Sequence, residues 1–278
     1  MVKSEKFASF VNTVGGNEGD KCHYNTRLDT YGCGCQHNCK YCYAKSLLDF
    51  WGLWNPQNPK VAPSELVDKE IRRLKGDKPV RLGGMTDCFQ PLEKTKRATD
   101  GAIRKLNVRK VPYLIVTTSA MVADDEYLKL MKPELAHIQV TVTTTDDDLA
   151  RTYEKASPPS KRIEAIERLQ REGFDVQLRL SPYIPEFVNV DEINQVKCDK
   201  VLVEFLRVNH WIKKWIDIDY TDYTLNHSGY NHLPLDKKIA LLSKVNFKEI
   251  SVCEDVDEHY EYWKQHVNHN PEDCCNLR

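Results

Sequence analysis

Apolar positions along the chain switch repeatedly between a helical period and short β-branched runs. From Pro63 onward Leu66, Val67, Ile71 and Leu74 recur at helical spacing, and Gly76-Asp77 ends that pattern ahead of a short strand at 80–82. Residues 92–107 read as one further helix, and the apolar, β-branched run 111–118 as a buried parallel strand. A helix at 124–131, with Asp124 or Asp125 at its N-cap, precedes a strand at 138–145. Residues 160–172 place Ile163, Ile166 and Leu169 on one face and stop at Gly173, after which 174–180 is again strand-like. Residues 201–206 and 247–253 supply two more strands. Such alternation predicts an α/β fold: a parallel sheet with helices outside, open or curled toward a barrel. Residues 1–30 carry little periodicity and read as an irregular N-terminal arm, with a turn at Asn17, Gly19 and Asp20. Residues 213–232, where Asp, Tyr, Asn and His interleave, read as a long functional loop.

Composition narrows the class. The 278 residues suit one α/β barrel, and 41% hydrophobic with 29% charged residues excludes collagen-like, low-complexity and wholly disordered chains. Lys plus Arg (40) nearly balances Asp plus Glu (41), so contact with nucleic acid would need a local patch. A mean hydropathy of −0.58 and the lack of a long apolar run exclude a transmembrane helix. The first sixteen residues lack a signal-peptide core, which leads to the expectation of a cytoplasmic protein. Ten cysteines are too few for a disulfide-stapled miniature domain, and in a reducing compartment clustered cysteines usually bind metal.

Cys35, Cys39 and Cys42 stand at C-x3-C-x2-C, a spacing that lets three thiolates of one loop converge on one metal centre. A tetrahedral zinc site would want a paired second half, and no second C-x2-C exists. Three thiolates on a four-iron cluster instead leave one iron open to a substrate or cofactor.

This triplet, with Tyr41 before its last cysteine, resembles the signature of the radical S-adenosylmethionine (SAM) superfamily. Gly34-Cys35-x-His37-x-Cys39-x-Tyr41-Cys42-Tyr43-Ala44, Thr86-Asp87-x-x-Gln90-Pro91-x-Glu93, Val116-Thr117-x-Ser119 and residues 154–162 are similar to the branch containing spore photoproduct lyase and its DNA repair photolyase-like relatives. The resemblance covers about residues 30–185. It implies a partial (β/α)6 barrel and a 4Fe-4S cluster on Cys35, Cys39 and Cys42; the chain is read as that barrel at 31–210 with a C-terminal extension and lid packed on it at 211–278. It also implies SAM on the open iron, a reductant such as flavodoxin or ferredoxin, and a 5'-deoxyadenosyl radical that abstracts hydrogen from substrate.

The resemblance further implies that the backbone at Gly83 and Gly84, with Thr86 and Asp87, receives the cofactor's amino group, although most glycine pairs are simply turns. Thr118, Ser119 and Thr141 at strand ends are candidates to bind its ribose or carboxylate, with β-propensity as the plainer explanation. Relatives often carry lysine at the Thr118 position, so Arg179 is the candidate substitute for that charge. Tyr41 would cover the adenine and Tyr43 would lie near the radical path, unless both only pack beside the cluster. The family's hydrogen-donating cysteine corresponds here to Gly84, which puts the specific lesion-repair reaction in doubt and leaves Cys88 as a nearby candidate thiol.

Of the other cysteines, Cys274-Cys275 with Cys253 and either Cys22 or Cys33 leave an auxiliary cluster open, but no C-x2-C spacing supports one and ordinary free thiols are the simpler reading. Residues 60–110 hold 14 Lys or Arg against 7 acids, a candidate nucleic-acid face or a solvated surface. Trp211, Trp215, Tyr220, Tyr223 and Tyr230 suggest a lid able to stack a base or another planar substrate. Three functions stay open on these residues: radical chemistry on a nucleobase in DNA or RNA, the same chemistry on a peptide or metabolite, and a non-catalytic metal-stabilised binding module.

Overall fold

The computed structural model describes residues 10–277. In its first part β1 (Val11–Thr13), α1 (Gly16–Lys21), β2 (Thr26–Leu28) and β3 (Tyr31–Gly32) lead to α2 (Tyr43–Phe50), β4 (Lys60–Val61), α3 (Ser64–Arg73) and β5 (Val80–Leu82). Next come α4 (Glu93–Lys96), α5 (Ala98–Arg109), β6 (Tyr113–Thr117), α6 (Asp125–Leu130), β7 (Ala136–Thr141), α7 (Asp147–Tyr153), α8 (Pro159–Arg171) and β8 (Asp175–Tyr183). The last part holds α9 (Val190–Ile193), β9 (Lys200–Phe205), α10 (His210–Trp215), β10 (Leu225–His227), β11 (Tyr230–His232), α11 (Leu235–Leu242), β12 (Glu249–Val252) and α12 (Asp257–His266).

Eight strands form one sheet in the order β1-β2-β5-β6-β7-β8-β9-β12. From β2 to β12 all pairings are parallel, and only β1 runs antiparallel to its neighbour. The fold is thus α/β with a mostly parallel sheet, as in a partial barrel. One face of the sheet is apolar, with Leu82, Ile115, Ile138, Val140, Leu178, Val201 and Val203 essentially inaccessible to solvent, while alternate positions such as Gln139, Gln177 and Arg179 are buried polar residues. Helix α8 shows how the outer layer docks: it starts at Pro159, buries Ala165, Ile166 and Leu169, and gives way to Gly173 at φ +82°. Burying each such Leu or Ile contributes about 1.5–3 kcal/mol.

Three readings need correction. Residues 10–30 are not an irregular arm: β2 extends the parallel sheet beside β5, and residues 1–9 lie outside the described residues. The strand is only Thr-Arg-Leu, too short to show a period. The single helix expected at 92–107 is two, broken at Arg97 (φ 54°), because the buried Glu93 carboxylate turns back to accept the N–H groups of Thr99 and Asp100, both at 2.9 Å. The long loop expected at 213–232 contains the end of α10 and the β10–β11 hairpin, which turns at Ser228-Gly229 with positive φ. Among the described residues no helix is long and apolar enough to cross a membrane.

Candidate functional site

The parallel strands point their C-terminal ends to one side of the sheet, where a cavity of about 190 Å3 opens. The cysteine loop crosses this side. Its sharp entry depends on Gly34, where a Cβ would lie 2.1 Å from the Asn55 carbonyl oxygen. Backbone bonds fix it to the segments after α7: Lys40 N–H donates to the Tyr153 carbonyl (2.8 Å) and Lys155 N–H to that of His37 (2.7 Å). Cys35, Cys39 and Cys42 all line the cavity, and Cys42 is the residue from which α2 starts.

The donor chemistry fits a metal cluster. Burial pushes the Cys35 thiol up to about 12, with the Asp87 charge adding to it. Burial, the Glu154 charge and the two neighbouring thiols raise Cys39 further. Burial also raises Cys42, against the opposing pull of the Ala44 and Lys45 N–H groups at the start of α2. Three converging soft ligands that are poor thiolates alone become good ones when a cationic centre takes their charge.

His37 ties this loop to the sheet. Its Nδ1 lies 2.8 Å from Thr118 Oγ1 and 3.3 Å from Asp87 Oδ2. Asp87 also accepts the Thr117 hydroxyl and the Thr118 N–H, each at 2.7 Å. Burial alone would raise the Asp87 pKa, but His37 and these bonds outweigh it and bring it down to about 2.

The glycine pair follows β5. Gly83 has φ +86°, and a Cβ there would sit 2.6 Å from the Val116 carbonyl oxygen. A Cβ on Gly84 would sit 2.8 Å from Asp29 Oδ2 and 3.0 Å from Arg27 Cβ, so a cysteine at 84 would need its neighbours to move. Asp29 Oδ1 accepts the N–H groups of Gly84 (3.0 Å) and Met85 (2.8 Å). Those donors are occupied, and the Gly83 carbonyl accepts from Arg81 Nε (3.1 Å) and the Gly84 carbonyl from the Tyr43 hydroxyl (3.4 Å), each keeping a second lone pair. The Thr86 hydroxyl donates to the Tyr31 carbonyl (2.7 Å).

Tyr41 donates to Glu154, which in turn pairs with the fully buried Arg162, and Arg162 also donates to the Thr141 carbonyl (2.8 Å). Tyr41, Tyr43 and Thr141 all line the cavity. On the opposite wall Arg179 pairs with Glu204, and Arg207 reaches the same carboxylate at 3.1 Å.

The structure therefore gathers Tyr41, Tyr43, Gly83, Gly84, Thr86, Asp87, Thr118, Thr141 and Arg179 around the three cysteines. It does not gather two others. Ser119 caps the turn after β6 by accepting the Met121 N–H and is absent from the cavity wall. Cys88 is 1% exposed and packed in the apolar core, where burial pushes its thiol far up. Two roles also shift: the Thr118 hydroxyl is engaged with Asp87 and His37, and the Arg179 charge is met by Glu204. Sequence reasoning missed Asp29, Arg81, Glu204 and Arg207 as site residues. Only Glu204, a lone carboxylate in an apolar strand, left a visible signal. In the basic stretch 60–110, Arg73 pairs with Glu70, Arg97 with Asp100 and Glu126, Arg104 with Asp100 and Lys105 with Asp68.

A family model described as the Radical SAM superfamily matches residues 30–195. An uncharacterised protein of Methanocaldococcus jannaschii is 26% identical over 167 residues, 58% of this chain and 61% of that protein. An uncharacterised protein of Acidianus two-tailed virus is 25% identical over 170 residues, 56% of this chain and 55% of that protein. The chain thus spans little more than half the length of these curated relatives. Among solved structures, spore photoproduct lyase complexed with dinucleoside spore photoproduct has a TM-score of 0.59 at 14% identity, covering 83% of this chain and 76% of that one. Streptococcus suis SuiB bound to precursor peptide SuiA has a TM-score of 0.58 at 14% identity, covering 85% of this chain and 50% of that one. Both likenesses are of fold.

Proposed function

Because the chain belongs to the radical SAM superfamily, we propose that it uses that chemistry to abstract a hydrogen atom from a nucleobase of a single-stranded or locally opened nucleic acid. The family implies a 4Fe-4S cluster and SAM, which together supply a 5'-deoxyadenosyl radical when an external reductant delivers an electron.

In this reading Cys35, Cys39 and Cys42 hold the cluster, and His37, Thr118 and Asp87 keep their loop against the sheet. Asp29 shapes the Gly83-Gly84 turn so that its backbone acceptors receive an amino group. Tyr41, fixed by Glu154, closes one side of the cavity and keeps water from the reacting atoms.

The observation that carries the substrate class is the pair Trp211 and Trp215. Helix α10 begins three residues after Arg207 of the cavity wall, and the two rings stack with centroids 5.9 Å apart. Both are half-buried. Lys45 lies 4.3 Å over the Trp215 ring and Lys214 5.9 Å over Trp211. A base leaving its stack costs a few kcal/mol, and aromatic stacking returns about 1–3 kcal/mol per base, with lysines near for the phosphates. The near-neutral net charge of −1 favours a peptide or metabolite as the second reading. Titrating the anaerobic protein with a fluorescent single-stranded oligonucleotide at low and high salt tests this. Binding that weakens steeply with salt supports the proposal, and no binding at low salt leaves the second reading.

A further inference from the structure

Cys22, Cys253, Cys274 and Cys275 line a second cavity, of about 60 Å3, which shares Tyr43, Arg81, Arg179, Glu204 and Arg207 with the first. They come from three places: the end of α1, the end of β12 and the C-terminal segment. All four are free cysteines. Cys274 and Cys275 are neighbours in the chain, and all four residues line the same cavity.

The convergence is held by bonds outside the thiols. Tyr24 donates to Asp273 (2.6 Å), Lys200 to the Asn276 carbonyl (2.7 Å) and Asn276 to Glu249 (2.7 Å), so the C-terminal segment is fastened to the first residues of β9 and β12. Cys253 N–H donates to the Val203 carbonyl (2.9 Å), which fixes the third side.

The cavity wall is cationic. Lys21, Arg27, Arg81, Arg179 and Arg207 stand against Glu204 and Glu254. Burial and the charges of Arg27 and Arg179 lower the Arg81 pKa, the mark of cationic charge crowded in a low-dielectric place. A metal bound by four thiolates carries net negative charge, which such a wall complements. Thiolates select soft metals, zinc or the iron of an iron–sulfur cluster, over hard cations.

We propose that Cys22, Cys253, Cys274 and Cys275 form a second, thiolate-ligated site for a soft metal, separated from the three-cysteine loop by the Tyr43–Arg81 wall. Of the two alternatives the sequence left for its fourth member, Cys22 lines the cavity and Cys33 does not.

The test begins by removing the first centre with Cys35→Ala, Cys39→Ala and Cys42→Ala together. This triple variant is then loaded anaerobically with zinc in one arm and with ferrous iron plus sulfide in the other, desalted and analysed for metal. Stoichiometric zinc, or iron with sulfide and a visible absorption, is expected to remain, and the arm that succeeds identifies the metal. Cys253→Ser and Cys274→Ser added to the triple variant are expected to abolish it. As a control for folding, wild-type protein reconstituted in the same way is expected to hold more metal than one 4Fe-4S cluster accounts for. Metal at background in both arms, with circular dichroism unchanged, overturns the proposal, as does a Cys253–Cys274 disulfide in anaerobically purified protein. None of these readouts uses SAM cleavage or oligonucleotide binding, so they stand apart from the function proposed above.

Discussion

Thr118 Oγ1 lies 2.8 Å from Nδ1 of His37 and the same distance from the Asp87 carboxylate. One hydroxyl thereby joins the cysteine loop, the end of β6 and the Thr-Asp segment. Replacing Thr118 with Val keeps the shape and deletes the bonds. Thr118→Val is expected to cost about 1–3 kcal/mol in urea unfolding, since it leaves buried partners unpaired. It is also expected to lower the iron retained through gel filtration, a loss that Thr118→Ser restores.

The Arg162 guanidinium is fully buried against Glu154. Glu154→Gln leaves that charge without its counter-ion. The variant is expected to lose about 3–5 kcal/mol of stability. Urea denaturation checks this, and a loss near zero would show that the pair does not hold the Tyr41 side of the site.

Glu204 gives a pH dependence. Burial raises its pKa, but Arg179, Arg207 and the Ser181 hydroxyl outweigh that effect and bring it from the ordinary 4.5 to about 2. A depressed carboxylate contributes stability that is whole above about pH 4.5 and is lost as the pH falls toward 2. Between pH 5 and pH 3 the wild type is therefore expected to lose more unfolding free energy than Glu204→Gln. Equal losses would contradict the assignment.

The two tryptophans differ. Trp215 packs against the core while Trp211 is absent from those contacts. Trp211→Ala is expected to leave the thermal midpoint nearly unchanged and weaken single-stranded oligonucleotide binding by about tenfold, the equivalent of about 1.4 kcal/mol of stacking. Trp215→Ala is expected to lower both.

What the chain's pattern revealed follows from physics that acts locally. Six strands of the sheet were legible because each carries β-branched or apolar residues at least at every second position, continuously in Tyr113–Thr117 and in alternation in Ala136–Thr141. The cysteine loop was legible because its ligands lie within eight residues of one another. Strand β2 was not, since three residues carry no period and its pairing with β5 spans more than fifty. Asp29, just beyond it, gains its role only when Gly84 is brought beside it. Cys88 misled because adjacency to Asp87 in sequence says nothing of direction, and its side chain turns into the core.

The substrate class is tested most directly by following the abstracted atom. Anaerobically reconstituted protein is incubated with dithionite, SAM and a single-stranded oligonucleotide deuterated at its base positions, and the 5'-deoxyadenosine formed is analysed by mass spectrometry. Deuterium in the 5'-deoxyadenosine is the result expected of a nucleobase substrate. 5'-Deoxyadenosine free of deuterium with every oligonucleotide sequence tried would contradict it.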